Sequence, residues 1–116
     1  MQPPELKIIY QDKQLLVVNK PQGIVTEYEP HLNFTLESLA LNYIRSQEKY
    51  PQKCFIGVPH RLDRPVSGVV LFSKKKSVLK MLMEIFAKRE IEKTYWAIVE
   101  NKPAKAEDEL QNWLVK

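Results

Sequence analysis

"VPHRLDRPVSGVVLF", Val58 to Phe72, sets one carboxylate, Asp63, between two guanidinium groups, Arg61 and Arg64, before turning through Pro65 and Ser67-Gly68. The apolar run that follows predicts a strand from Val69 to Ser73, because β-branched and aromatic residues after a glycine favour extended backbone. Asp63 therefore belongs to a loop at the mouth of a strand. An aspartate is ionised at neutral pH, so the loop presents an anion among cations. Two readings stay open at this point. The acid is a structural ion-pair partner in a solvated turn, or it is a reactive carboxylate placed to meet an anionic polymer.

The elements on either side follow from periodicity. Leu6 to Tyr10 and Leu15 to Val18 are β-prone runs around Gln11-Asp-Lys-Gln14 and read as a hairpin. Asn19-Lys-Pro-Gln-Gly23 ends the second strand with turn chemistry, because proline fixes φ and glycine permits positive φ. Leu36, Leu39, Ala40, Tyr43 and Ile44 recur at helical spacing, with Thr35 as N-cap and Pro51 as a stop. Phe55 to Val58 reads as a short strand. Ser77 is expected to cap a second helix with the stripe Val78, Met81, Leu82, Ile85 and Phe86. Met81 and Met83 read as ordinary helix residues. Lys93 to Val99 predicts a strand, broken by Lys102-Pro103-Ala104, and Glu109 to Val115 predicts another. On alternation, Trp96 is expected in the core, on the face opposite Tyr95. The sum is one α+β domain over residues 1–116, a mixed and mostly antiparallel sheet with flanking helices.

Composition narrows the function. The chain has 116 residues, 44% hydrophobic, with one cysteine, Cys54. One thiol gives no internal disulfide and no cysteine-built zinc site, and Cys54 reads as a small buried hydrophobe. There is no Gly-rich phosphate loop, no paired His/Cys metal spacing and no G-x-S-x-G elbow, so no metal, nucleotide or other cofactor is expected. His31 follows Pro30 and reads as an exposed loop residue. The N-terminus lacks a signal-peptide pattern and no apolar run could span a bilayer, so a cytoplasmic setting without membrane is expected. Net charge is +4. Residues 51–93 carry ten Lys and Arg against four Asp and Glu, while the remainder is slightly acidic. A basic middle suits a polyanion; it also suits a solvated helix face.

The longer string decides between these. His60-Arg-Leu-Asp63-Arg-Pro-Val-Ser67-Gly68, followed by an apolar strand and Lys74, resembles the signature motif of the RluA-like pseudouridine synthases. "LLVVNKPQGIV" (Leu15–Val25) resembles that family's N-terminal strand and its Asn-Lys-Pro-x-Gly turn, and "IEKTYWAIVE" (Ile91–Glu100) resembles its tyrosine-bearing strand. Val66 departs from the family's usual threonine. The family also continues to a segment that supplies another basic residue to the catalytic Asp. No stretch here matches it, so residues 1–116 resemble the N-terminal portion of a catalytic domain and are expected to be inactive alone.

The resemblance implies an enzyme that isomerises uridine to pseudouridine in rRNA or tRNA, without cofactor. Asp63 would be the essential carboxylate, as nucleophile toward sugar or uracil or as base toward the ribose. Tyr95 would be the second catalytic residue, stacked on the target uracil; by itself it reads as core packing. Arg61 would hold the flipped-out nucleotide. Arg64, His60, Lys74, Lys75 and Lys76 complete the expected RNA contacts. Lys20 reads as a surface lysine at a strand end or as part of a motif outside the catalytic centre. The alternative function is a non-catalytic RNA-binding module with an incomplete site; a third is an unrelated α+β interaction domain.

Overall fold

The computed structural model describes residues 2–115. Its sheet has three strands, β1 (Lys7–Gln11), β2 (Leu15–Lys20) and β3 (Gly68–Ser73), in that spatial order. Both pairings are antiparallel, so the sheet is antiparallel throughout rather than mixed. The β1–β2 hairpin turns at Asp12. Its Oδ1 accepts from Gln14 N and Leu15 N, each at 2.7 Å, and its Oδ2 accepts from Tyr10 Oη at 2.7 Å. The β1–β2 register slips between Ile8 and Tyr10, leaving Ile9 as the extra, exposed residue of a bulge.

Strand alternation then sorts the side chains. Leu16 and Val18 of β2 lie opposite Phe72 and Val70 of β3, and all four are fully buried. Against this face packs α1 (Leu36–Ser46), whose Leu36, Ala40 and Ile44 are its buried residues. They recur every four positions, so one narrow stripe meets the sheet. Each large apolar side chain buried there contributes about 1.5–3 kcal/mol. Thr35 caps α1 as its sequence predicts, in a reciprocal box. Ser38 N donates to Thr35 Oγ1 at 3.2 Å and Thr35 N donates to Ser38 Oγ at 2.8 Å.

The second helix, α2 (Lys76–Ala87), packs against β3. Its N-cap is Lys75 rather than Ser77. Strand β3 ends at Ser73 and Lys74 N bonds Gln14 O at 2.8 Å, so the chain enters the helix at once and Ser77 falls inside its first turn. Val78 is buried and Leu82, Ile85 and Phe86 are half-buried, while Met81 and Met83 are exposed.

Three expected strands do not form. Phe55–Val58 contributes one isolated bridge, in which Gly57 and Ser73 exchange backbone bonds of 2.9 and 3.0 Å. Residues 93–99 and 109–115 have no regular structure, and Trp96, expected in the core, is 97% exposed. The reason lies at the outer edge of β3. Gly57 occupies the backbone groups of Ser73, and His60 Nε2 accepts from Leu71 N at 2.9 Å. A β-prone run that pairs with no strand stays irregular, because β propensity is realised through neighbours.

Gly57 must be glycine for steric reasons. A methyl there would collide with Ser73 Oγ and lie 2.9 Å from Leu79 Cδ2. Gly57→Ala is therefore expected to destabilise the fold by about 1–3 kcal/mol through overpacking. Urea unfolding followed by far-UV circular dichroism checks this; an unchanged midpoint would mean that the loop and α2 shift freely apart.

Candidate active site

The site begins with the residue that ends β2. Alternation from Leu16 and Val18 carries Lys20 to the same inward face, opposite Gly68 and fully buried. Gly68 offers no side chain to block it. A lysine ammonium has three protons to donate. Lys20 Nζ spends them on three backbone carbonyls: Ile24 O at 2.8 Å, Pro21 O at 3.0 Å and Arg64 O at 3.2 Å. Burial lowers the pKa of Lys20, and the negative charge of Asp63 opposes that shift. The lysine thus joins the turn after β2 to the Asp63 loop.

Other bonds complete the join. Gly23, at φ +98°, donates from its N–H to Arg64 O at 2.8 Å, and Arg64 Nε donates to Gly23 O at 3.0 Å. Buried Thr26 Oγ1 donates to Leu62 O at 2.8 Å and accepts from Leu62 N at 3.2 Å. Val66 N closes a turn onto Asp63 O at 3.0 Å. On the far side, Leu36 N and Glu37 N donate to Val25 O and Thr26 O, each at 2.9 Å, tying the same turn to the start of α1. Both backbone neighbours of Asp63 are pinned while its side chain is exposed.

Asp63 lines a hollow of about 370 Å³ with Arg61, Leu62, Arg64 and residues 25–29. Arg61 faces Glu27 at 3.7 Å, an exposed pair of little energetic weight. Tyr95 lines a different hollow of about 520 Å³, which includes His60, Val69, Leu71, Phe86 and Trp96; Leu62 is common to both. Tyr95 itself is 60% exposed. His60 is stacked on Phe86 with ring centroids 4.7 Å apart, and Lys93 Nζ lies 5.3 Å from the Phe86 centroid. Burial lowers the pKa of His60, and the Lys93 charge lowers it further. The neutral ring can accept from Leu71 N, which makes Nδ1 its protonated nitrogen.

The structure therefore divides the expected site residues. Arg61, Asp63 and Arg64 share one hollow. His60 and Tyr95 share the next. Lys74, Lys75 and Lys76 lie at the opposite end of β3, a strand of about 17 Å at 3.3–3.4 Å per residue. Arg64 carries two roles, since its carbonyl accepts from Lys20 and Gly23 while its guanidinium reaches Gly23 O. Sequence reasoning missed the inward position of Lys20 and the clamp made by Thr26. The signal for Lys20 was present: Leu16, Val18 and Lys20 are one period-two series. Among the described residues no group of three or more His, Cys, Asp or Glu could hold a metal, and no helix is long and apolar enough to cross a membrane.

The family model of RNA pseudouridylate synthases matches residues 14–116. The chain belongs to that family. Among its relatives, the tRNA pseudouridine synthase C of Vibrio parahaemolyticus is 38% identical over 103 residues, covering 85% of this chain and 38% of that protein. The ribosomal large subunit pseudouridine synthase C of Vibrio cholerae is 36% identical, covering 79% of this chain and 27% of that protein. Its counterpart in Rickettsia bellii is 32% identical and covers 94% of this chain and 34% of its own length. Human RNA pseudouridylate synthase domain containing 4 superposes with a TM-score of 0.58 at 26% identity, over 72% of this chain and 30% of that one. The chain thus spans about a third of the length of the relatives it matches. As a pseudouridylate synthase chain, it shares their α+β class.

Two outcomes follow for this site. Lys20→Met leaves Pro21 O and Ile24 O without the ammonium donor, while Arg64 O keeps Gly23 N, and is expected to cost about 2–4 kcal/mol, measured by urea unfolding. A loss below about 0.5 kcal/mol would show that water replaces the ammonium. His60 has a folded pKa below its ordinary value of about 6.5. The unfolded chain therefore binds the proton more tightly, and the stabilisation is complete above pH 6.5. It is lost as pH falls from there through the folded pKa. His60→Gln, which keeps an acceptor for Leu71 N, is expected to flatten that part of the stability–pH curve; an unaltered curve would assign the dependence to other groups.

Proposed function

We propose that this chain supplies the reacting carboxylate and part of the RNA surface of an RNA pseudouridine synthase, acting on rRNA or tRNA in the cytoplasm without a cofactor. The observation that carries this reading is the mounting of Asp63. Its side chain is exposed in a hollow walled by Arg61 and Arg64, while Leu62 and Arg64 are pinned on either side. A fixed, accessible carboxylate among guanidinium groups suits work beside a phosphodiester backbone, and a volume of about 370 Å³ falls within the range of small-molecule clefts.

The reaction asks three things of the protein. The target uridine must leave its stack before a carboxylate can reach its sugar, and flipping a base costs a few kcal/mol. Arg61, held among the described residues by an exposed pair with Glu27, is free to take a phosphate or the vacated place in the RNA. Asp63 then acts on the sugar or the ring as nucleophile or base. The N-glycosidic bond breaks, the uracil turns, C5 bonds to C1′, and the proton lost from C5 is matched by one gained at the freed N1, so uridine and product are isomers. Tyr95 offers an aromatic face for stacking from the neighbouring hollow. Arg64 and Lys74–Lys76 add sequence-independent backbone contacts, with His60 keeping the β3 edge in place.

A second reading, RNA binding without turnover, has one observation in its favour: Asp63 and Tyr95 line separate hollows. One experiment separates the two. In the gene product that carries this chain, Asp63→Asn is expected to reduce pseudouridine formation at least about a thousandfold, while RNA affinity changes less than about threefold. Mass spectrometry of digested RNA and filter binding are the readouts. Turnover that survives the substitution would remove Asp63 from the chemistry; RNA binding with no turnover in the unsubstituted protein would favour the binding module.

A further inference from the structure

The far end of the sheet holds a second basic site. A hollow of about 510 Å³ is lined by Lys13, Lys53, Lys74 and Lys75, together with Asp12, Glu48, Tyr50 and Phe55. Four segments converge there: the β1–β2 turn, the end of α1, the turn at residues 51–53 and the link from β3 to α2. The hollow lies beyond Ile44, near the C-terminal end of α1, whereas the Asp63 hollow adjoins Val25 and Thr26 at its N-terminal end. An eleven-residue helix is about 16 Å long, which agrees with the length of β3.

The lysines there outnumber the acids, four against Asp12 and Glu48. Among the described residues none of Lys13, Lys49, Lys53, Lys74 or Lys75 has an ion-pair partner. Asp12 feels the Lys74 charge, which helps to lower its pKa, but its carboxylate oxygens are bonded to the hairpin turn and Tyr10. Two lysines are instead gathered on an aromatic ring: Lys53 Nζ and Lys49 Nζ lie 5.2 and 5.7 Å from the centroid of half-exposed Tyr50. Lys74 Nζ is steadied by Gln11 Oε1 at 3.3 Å. Converging ammonium groups around a half-exposed aromatic ring fit a phosphate backbone and its bases better than an acidic peptide.

We propose that Lys13, Lys49, Lys53 and Tyr50, with Lys74 and Lys75, form a second RNA-docking surface, separated from the Asp63 hollow by the length of α1. The inference rests on the RNA reading above. It deepens that reading by setting a minimum size for the substrate. At roughly 3.4 Å per stacked nucleotide, the span corresponds to about five or six nucleotides beyond the target uridine. The recognised unit is then a structured arm rather than an isolated uridine.

The test uses a 20-nucleotide stem–loop RNA with a loop uridine, titrated by fluorescence anisotropy over a KCl series. Loss of three phosphate contacts lowers the slope of log affinity against log salt by about two to three. Lys13→Gln/Lys49→Gln/Lys53→Gln is expected to show that decrease and at least a tenfold weaker affinity at 50 mM salt, with an unchanged circular dichroism spectrum. 4-Thiouridine placed six nucleotides from the loop uridine is expected to crosslink to the peptide containing Tyr50. If unsubstituted protein binds the stem–loop and the triple variant binds it equally, the second surface is overturned and the RNA reading stands. Crosslinks to Tyr50 from the loop uridine itself would overturn the separation. If the unsubstituted protein binds no RNA, the RNA reading itself fails. Phosphatidylserine vesicles bound by that protein and released by the variant would then assign the lysines to a membrane surface.

Discussion

A single buried ammonium holds the Asp63 loop against the sheet. Lys20 ends the central strand on the side that packs inward, and its three protons reach carbonyls from two chain segments that are forty residues apart. Placing a charge in a protein interior is costly unless each donor finds an acceptor. Here all three do, so the position tolerates neither a shorter cation nor an apolar replacement without leaving carbonyls orphaned. The geometry of Asp63 depends on this arrangement because Arg64, its immediate neighbour, provides one of the three acceptors. Thr26 secures the other neighbour, Leu62, from the same turn.

This mounting separates two kinds of interaction with different sensitivities. Asp63 is positioned by short bonds to backbone groups, several of them buried, which dissolved salt screens weakly. The groups around it that face solvent, Arg61 with Glu27 and the lysines at the other end of α1, interact through water and are screened strongly. The loop should therefore keep its shape over ionic conditions that abolish contact with a polyanion. Positioning and capture are carried by different atoms, and either can change without the other.

Much of this was legible in the sequence wherever a local rule was also the global one. The β1–β2 hairpin, the Thr35 cap, the stripe of α1 and the strand after Gly68 each follow from a period or a turn residue, and the packing agrees with them. The motif around Asp63 was readable as a candidate site only through its resemblance to a family signature; at a strand mouth alone it also fitted a structural ion pair. What sequence could not supply was competition for hydrogen bonds. Residues 93–99 have the composition of a strand, but they pair with none, and part of the β3 edge is taken by Gly57 and by His60. Lys20 failed for the opposite reason. Its charge argued for the surface, and only the three carbonyls arranged by the fold make the inward position tolerable. The separation of Tyr95 from the Asp63 hollow likewise depends on where a long irregular segment lies, which no periodicity encodes.

The segment beyond Lys93 has an optical consequence. Both tryptophans of the chain, Trp96 and Trp113, fall in it, and they are 97% and 98% exposed. The buried cluster around Phe72 contains no indole. Intrinsic emission from this chain therefore starts at the wavelength of hydrated tryptophan and is nearly blind to melting of the core. The same signal reports on whatever comes to cover residues 93–115, moving to the blue as water is displaced from the two rings. The fold thus carries its own reporter, placed in an irregular, exposed segment rather than where the protein is held together.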